Sequence, residues 1–152
     1  MTQVERKLLE MGVQLVECPK PGARYVPVQR SGNLLFASGQ TSVVEGELLY
    51  AGKLGRDVSD DDGYESAKIA CLRCISALAA YADLDNLRII KVTGFVNTYG
   101  DYGNQPSIVN GASDLIEDAF GEKGQHARAA IGVAGLPGNA SVEIELIAEV
   151  IE

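Results

Sequence analysis

The chain has 152 residues, 46% hydrophobic and 22% charged, with a formal charge of −8 at pH 7. That is enough chain for one domain with a real core, and the composition excludes a disordered or collagen-like chain. The acidic balance makes phosphate backbones and anionic membrane surfaces poor electrostatic partners.

Three cysteines, Cys18, Cys71 and Cys74, do not suggest a disulfide framework in a chain of this size. The opening residues MTQVERKLLE lack an apolar signal core. No apolar run approaches the roughly 20 residues a membrane span needs. A cytoplasmic protein is the expectation.

Thr2 to Met11 carries Val4, Leu8, Leu9 and Met11 among charges, with Gly12 behind, and reads as a short amphipathic helix. The connector Cys18-Pro-Lys-Pro-Gly follows. Tyr25–Val28 and Leu34–Ser38 are expected as strands around a Ser31-Gly32-Asn33 turn. Glu45-Gly46-Glu47 reads as a turn and Leu48–Tyr50 as a short edge strand. The loop Gly52 to Asp57 has two glycines but no GK[ST] closes it, so it is not a phosphate loop.

Ser59 before three aspartates marks a helix start, and the helix is expected to run to about Ala82. Ala67, Cys71, Cys74, Leu78 and Tyr81 form its apolar stripe. Cys71-Leu-Arg-Cys74 therefore reads as core rather than as a redox or zinc motif, because zinc needs four ligands and only Cys18 and His126 remain. Leu87–Thr98 is a long strand. Pro106 opens a second helix, with Ile108, Val109, Ala112, Leu115, Ile116, Ala119 and Phe120 on one face and Gly121 closing it.

The closing segment His126–Glu149 reads as two strands joined by a turn. Along the last strand Glu143, Glu145, Ile147 and Glu149 share one face and Val142, Ile144, Leu146 and Ala148 the other. The hairpin is expected to bury an apolar face and to carry Arg128 and the glutamates on the opposite one. Ala127, Ala129, Ile131 and Val133 are apolar on one side of their strand, and Ala130, Gly132, Ala134 and Leu136 on the other. Strands apolar on both sides need cover on both, so a homo-oligomer is expected. The whole is a single α+β domain over residues 1–152, with residues 1–20 as an extension. Two long helices cover one face of a mixed, mainly antiparallel sheet.

Arg128 suits a planar anion or carboxylate, since guanidinium makes a bidentate fork; its other reading is an ion pair to Glu143 or Glu145 across the hairpin. Alternating glutamates on a strand are also an ordinary solvated face. His126, two residues before Arg128, reads as a second anion contact, a proton relay or an incidental histidine. Tyr25 either caps a pocket through its hydroxyl or packs. No GxSxG elbow surrounds Ser38, so it is not a hydrolase nucleophile.

From Pro21 onward, the chain resembles the RidA family, the imine/enamine deaminases formerly called YjgF and sometimes labelled L-PSP endoribonucleases. The resemblance rests on Arg24-Tyr25, Ser38-Gly39-Gln40, Val109-Asn110-Gly111, Ala127-Arg128, Leu136-Pro137 and Val142-Glu143-Ile144-Glu145, in that order and spacing. It implies a chorismate-mutase-like fold, a homotrimer and pockets between subunits. It also implies that Arg128 clamps a substrate carboxylate, that Glu143 positions the attacking water, and that Tyr25, Ser38 and Asn110 line the pocket. The reaction so implied is hydrolysis of small 2-imino or 2-enamino acids to 2-keto acid and ammonia, with no metal and no cofactor. A non-catalytic trimer binding a carboxylate metabolite and an endoribonuclease are the alternatives.

The chain departs from the family pattern in four places. The Thr2–Gly12 helix is extra and the Gly46–Val58 connection is longer than in the short deaminases. His126 replaces the usual proline, and Ala130 stands where many members carry cysteine. These features resemble a longer subgroup.

Overall fold

The computed structural model describes residues 1–151, so Glu152, at the end of the expected domain, lies outside it. Its elements in chain order are α1 (Gln3–Glu10), β1 (Val28–Ser31), β2 (Leu34–Gln40), β3 (Val43–Val44), β4 (Glu47–Leu48), α2 (Asp60–Ala79), β5 (Leu87–Asn97), α3 (Gln105–Phe120), β6 (Ala127–Val133) and β7 (Val142–Val150). Five strands form a sheet in the order β1-β2-β7-β5-β6, and β3 and β4 make a separate hairpin. Only β5 and β6 run parallel; the remaining pairs are antiparallel. The expected α+β architecture with a mixed sheet is observed.

The helices start and stop where local chemistry dictates. Thr2 and Glu5 satisfy each other's backbone N–H groups in a capping box, and Asp85 accepts from the free N–H groups of Gln3 and Val4. Ser59 caps α2 through Asp62 N–H. Pro106 lies in the first turn of α3, and Gly121 ends it at φ 62°. Val4 and Leu8 of α1 are buried, each contributing ~1.5–3 kcal/mol by leaving water.

Helices α2 and α3 pack on one face of the sheet. Ala67, Cys71, Cys74 and Leu78 of α2 and all seven expected residues of α3 are buried. Burial pushes the Cys71 and Cys74 thiols far up, so both behave as small hydrophobes. Tyr81 was expected on that stripe, but α2 ends at Ala79 and Tyr81 turns outward, 50% exposed.

Three further expectations are corrected. The first strand begins at Val28 rather than Tyr25, because Pro27 has no N–H to give the ladder. The edge strand expected at Leu48–Tyr50 is the short β3–β4 hairpin, whose turn at Glu45 and Gly46 takes positive φ at both positions, and Tyr50 lies beyond it.

The third correction is the largest. The closing segment is not a hairpin. β6 pairs parallel to β5 on one side, and β7 pairs antiparallel to β5 on the other. The cause is the α3 crossover, which returns the chain to run β6 alongside β5 in the same direction. With that edge of β5 taken, β7 pairs with the opposite one, and residues 134–141 pass around the end of β5. There Asn97, fully buried, donates to the carbonyl of Ala140 at 3.0 Å, and Lys53 Nζ bridges Asn97 Oδ1 to the Ala134 carbonyl. The Gly52–Asp57 loop is thereby tied to the 134–140 segment.

Helices α2 and α3 touch at Gly111. A Cβ there would come within 2.9 Å of the Tyr64 backbone carbonyl carbon and 3.3 Å of Ala67 Cβ. Gly111→Ala is expected to force the helices apart and lower the unfolding free energy by ~1–3 kcal/mol, read by urea titration. An unchanged midpoint would mean that the helices do not rely on this close approach.

Candidate functional site

Sheet register decides which side chains can meet. Arg128 pairs with Val92, and Val92 with Leu146; both are buried on the helix-covered face. Arg128 therefore stands on the helix side, at the free edge. Its guanidinium reaches α3: Nη1 donates to Asn110 Oδ1 at 2.8 Å and to Ser113 Oγ at 3.3 Å, and Nη2 to the Pro106 carbonyl at 3.4 Å. Asn110 and Ser113 are neighbours because they lie one helical turn apart. Arg128 itself is exposed, and among the described residues no carboxylate lies within ion-pair distance of it. The alternative ion pair to Glu143 or Glu145 is not formed.

Glu143 lies on the other face. It pairs with Phe95, and Phe95 with Ile131, all three on the side away from the helices. Its carboxylate rests over Gly39, where a Cβ would come within 2.9 Å of the carboxyl carbon. Tyr25, Ser38, Pro137 and Glu145 complete a cleft of about 400 Å³ around it. An adjoining hollow of about 560 Å³ runs over Val26, Gln29 and Phe36. The Ser38 hydroxyl donates to the Val26 carbonyl at 2.7 Å, so its hydrogen is committed to the backbone. Burial raises the pKa of half-buried Glu143 above the ordinary 4.5, and the like charge of Glu145 adds to the rise.

The residues singled out from sequence thus fall into two groups. Arg128, Asn110 and His126 gather at α3 and β6, with His126 joined to Arg128 through Ser113. Tyr25, Ser38 and Glu143 gather at β2 and β7. The expectation that Arg128 and the glutamates share one face is overturned: β5 separates them, and they project to opposite sides of the sheet. Arg128 pairs with Val92 and Glu143 with Phe95, three positions apart on β5, so the two side chains project to opposite faces.

Ser113 and the supporting role of Gly39 were not anticipated. A serine three positions after Asn110 was the available signal for the first. No cluster of three or more His, Cys, Asp or Glu side chains among the described residues could hold a metal ion, and no described helix is long and apolar enough to cross a membrane.

The raised pKa of Glu143 has a definite sign in stability. Below the ordinary carboxylate value the group is protonated both folded and unfolded, and costs nothing. Above the raised folded value it is charged in both, and the folded chain carries the desolvation penalty in full. Glu143→Gln is therefore expected to raise the thermal midpoint at pH 7 and to give no gain near pH 3. A stabilisation independent of pH would show that the carboxylate charge is not its source.

Comparisons with known proteins bear on the family and the fold. A family described as "YjgF/chorismate_mutase-like, putative endoribonuclease" matches residues 5–150. Protein TCP17 of Trypanosoma cruzi is 37% identical over 97% of this chain and 94% of its own. The crystal structure of Atu1372 from Agrobacterium tumefaciens, a protein of unknown function, superposes with a TM-score of 0.88 at 39% identity, covering 97% of this chain and 91% of that one. A Shewanella oneidensis MR-1 protein carrying the same endoribonuclease description reaches a TM-score of 0.94 at 31% identity, over 98% of this chain and 100% of its own. The order of short motifs, the mixed sheet with two covering helices and these matches agree, and the chain belongs to the YjgF/RidA family.

Proposed function

We propose that the protein is a hydrolytic deaminase of small 2-imino and 2-enamino acids, working in a pocket closed between copies of a homotrimer. The observation that supports this most is the division of the site. One face presents an exposed arginine held in place with no carboxylate partner among the described residues. The other presents a half-buried carboxylate of raised pKa in a cleft with a tyrosine and a serine. One chain cannot bring the two together across its sheet, whereas one copy's β6 edge and another's β7 face can. Exposed Phe36 and Ile131 on the uncovered sheet face fit such an arrangement.

The chemistry follows from these groups. Arg128 holds the substrate carboxylate through a bidentate fork, which lysine does not reproduce. Glu143 orients a water against C2 of the imine and takes its proton as the C–O bond forms. That proton passes to the imine nitrogen to give a carbinolamine; the hydroxyl proton then passes through Glu143 to the same nitrogen as the C–N bond breaks, leaving the keto oxygen and ammonia. An enamine first takes a proton at C3 to become the imine. A carboxyl of raised pKa suits both directions of transfer.

The test uses imines made in situ by an amino-acid oxidase, with 2-keto acid and ammonia as readouts. Wild type should accelerate release. Arg128→Ala should lower kcat/KM about 100-fold or more, mostly through KM. Glu143→Gln should lower kcat about 100-fold. Rates equal to the protein-free control would end the proposal. A 2-keto acid that raises the thermal midpoint without turnover would favour the metabolite-binding alternative.

Light scattering is expected to give three times the chain mass, and a monomer at micromolar concentration would contradict the shared pocket. The endoribonuclease description carried by the family is the second reading. The −8 charge and the lack of a basic stripe oppose it.

A further inference from the structure

Behind Arg128 runs a chain of hydrogen bonds that the deaminase chemistry does not use. Arg128 Nη1 lies 3.3 Å from Ser113 Oγ, Ser113 Oγ lies 2.8 Å from His126 Nε2, and His126 Nδ1 lies 2.6 Å from the Gly124 carbonyl oxygen. The two ends have a fixed sense. A guanidinium only donates and a carbonyl only accepts. His126 Nδ1 must therefore carry a hydrogen, and Ser113 Oγ must turn a lone pair to Nη1. With a neutral ring, Nε2 accepts the Ser113 hydroxyl hydrogen. Every link is then satisfied in one direction, from Arg128 through Ser113 and His126 to the backbone. Both ring nitrogens are occupied, so neither is left for an anion.

The same contacts sort the guanidinium's hydrogens. Nη1 spends both of its own, on Asn110 and Ser113. Nη2 gives one, at 3.4 Å, to Pro106. Among the described residues Nε makes no hydrogen bond, and Nη2 makes only that long one to a backbone carbonyl. These two atoms bound one edge of the planar group, the edge that meets a carboxylate side-on through two parallel bonds.

We propose that Ser113 and His126 are positioning residues that lock Arg128 against α3, leaving its Nε–Nη2 edge as a preformed side-on fork for the substrate carboxylate. This rests on the imino-acid reading for the ligand, though not for the locking. A long side chain on a free sheet edge loses rotamer freedom when it clamps an anion. One already held by α3 has lost that freedom before the anion arrives, so affinity rises. Ser113 is 9% exposed, so its hydroxyl is screened from competing water.

The test compares the assembled full-length protein with Ser113→Ala, Ser113→Thr and His126→Ala. Ligand-free crystal structures come first. In both alanine variants Arg128 Nη1 should leave Asn110, and in Ser113→Thr, which keeps the hydroxyl, it should stay. Steady-state kinetics with oxidase-generated imines come second. The alanine variants should raise KM about tenfold and leave kcat within about twofold, and Ser113→Thr should restore KM.

A purely structural role would lower the thermal midpoint or the active fraction and leave KM alone. An Arg128 unmoved in both alanine variants, or one that moves with no change in KM, overturns the proposal. If wild type releases no keto acid, the deaminase reading falls, and the crystal comparison alone still decides whether Ser113 and His126 hold Arg128. If Ser113→Ala does not fold, His126→Ala carries the comparison.

Discussion

The pairing of β5 on both edges is the constraint from which the rest follows. Its parallel partner β6 exists only because α3 crosses over, and its antiparallel partner β7 takes the edge that remains. Side chains of Val92, Val96 and Ile89 from this strand are fully buried beneath the helices. Slipping the strand by one residue would send that set to the open face. The same register fixes Arg128 on one side of the sheet and Glu143 on the other. Core packing and the layout of the site are thus two readings of one hydrogen-bond ladder.

Polar groups inside this fold are few, and each is satisfied. Ser141, just before β7, donates to Ser66 of α2, and Asn97 to the loop that passes round β5. Leaving such groups without partners would cost about 1–3 kcal/mol each. Among the described residues no buried side-chain nitrogen or oxygen lacks one. The long Gly52–Asp57 loop is part of this arrangement. Its Lys53 ties it to Asn97, and Arg56 pairs with Asp57 while lying 4.9 Å from the Tyr99 ring centre.

Legibility in the sequence followed the range of the interactions. Helices α1, α2 and α3 were readable because caps, apolar stripes and terminal glycines are local. The alternation of β7 was readable for the same reason. Pro27, which has no N–H for the ladder, marks the start of β1 at the next residue. The parallel partnership of β5 and β6 was not readable, since adjacency in sequence made β6 and β7 look like a hairpin. That single error carried the arrangement of charges with it. Tyr25, Ser38 and Asn110 were reached through family resemblance, and no periodicity marked them. Ser113 was hidden because a serine on a buried helix face means nothing until the strand beneath it is known.

Gly39 carries an implication beyond its local fit. The Glu143 carboxylate occupies the volume that any other residue at position 39 would fill. Gly39 lies in the irregular step between Ala37 and Gln40, where the β2–β7 register shifts. Position 39 therefore sets where the Glu143 carboxylate rests. A side chain there would displace the carboxylate from its place in the cleft beside Tyr25 and Ser38.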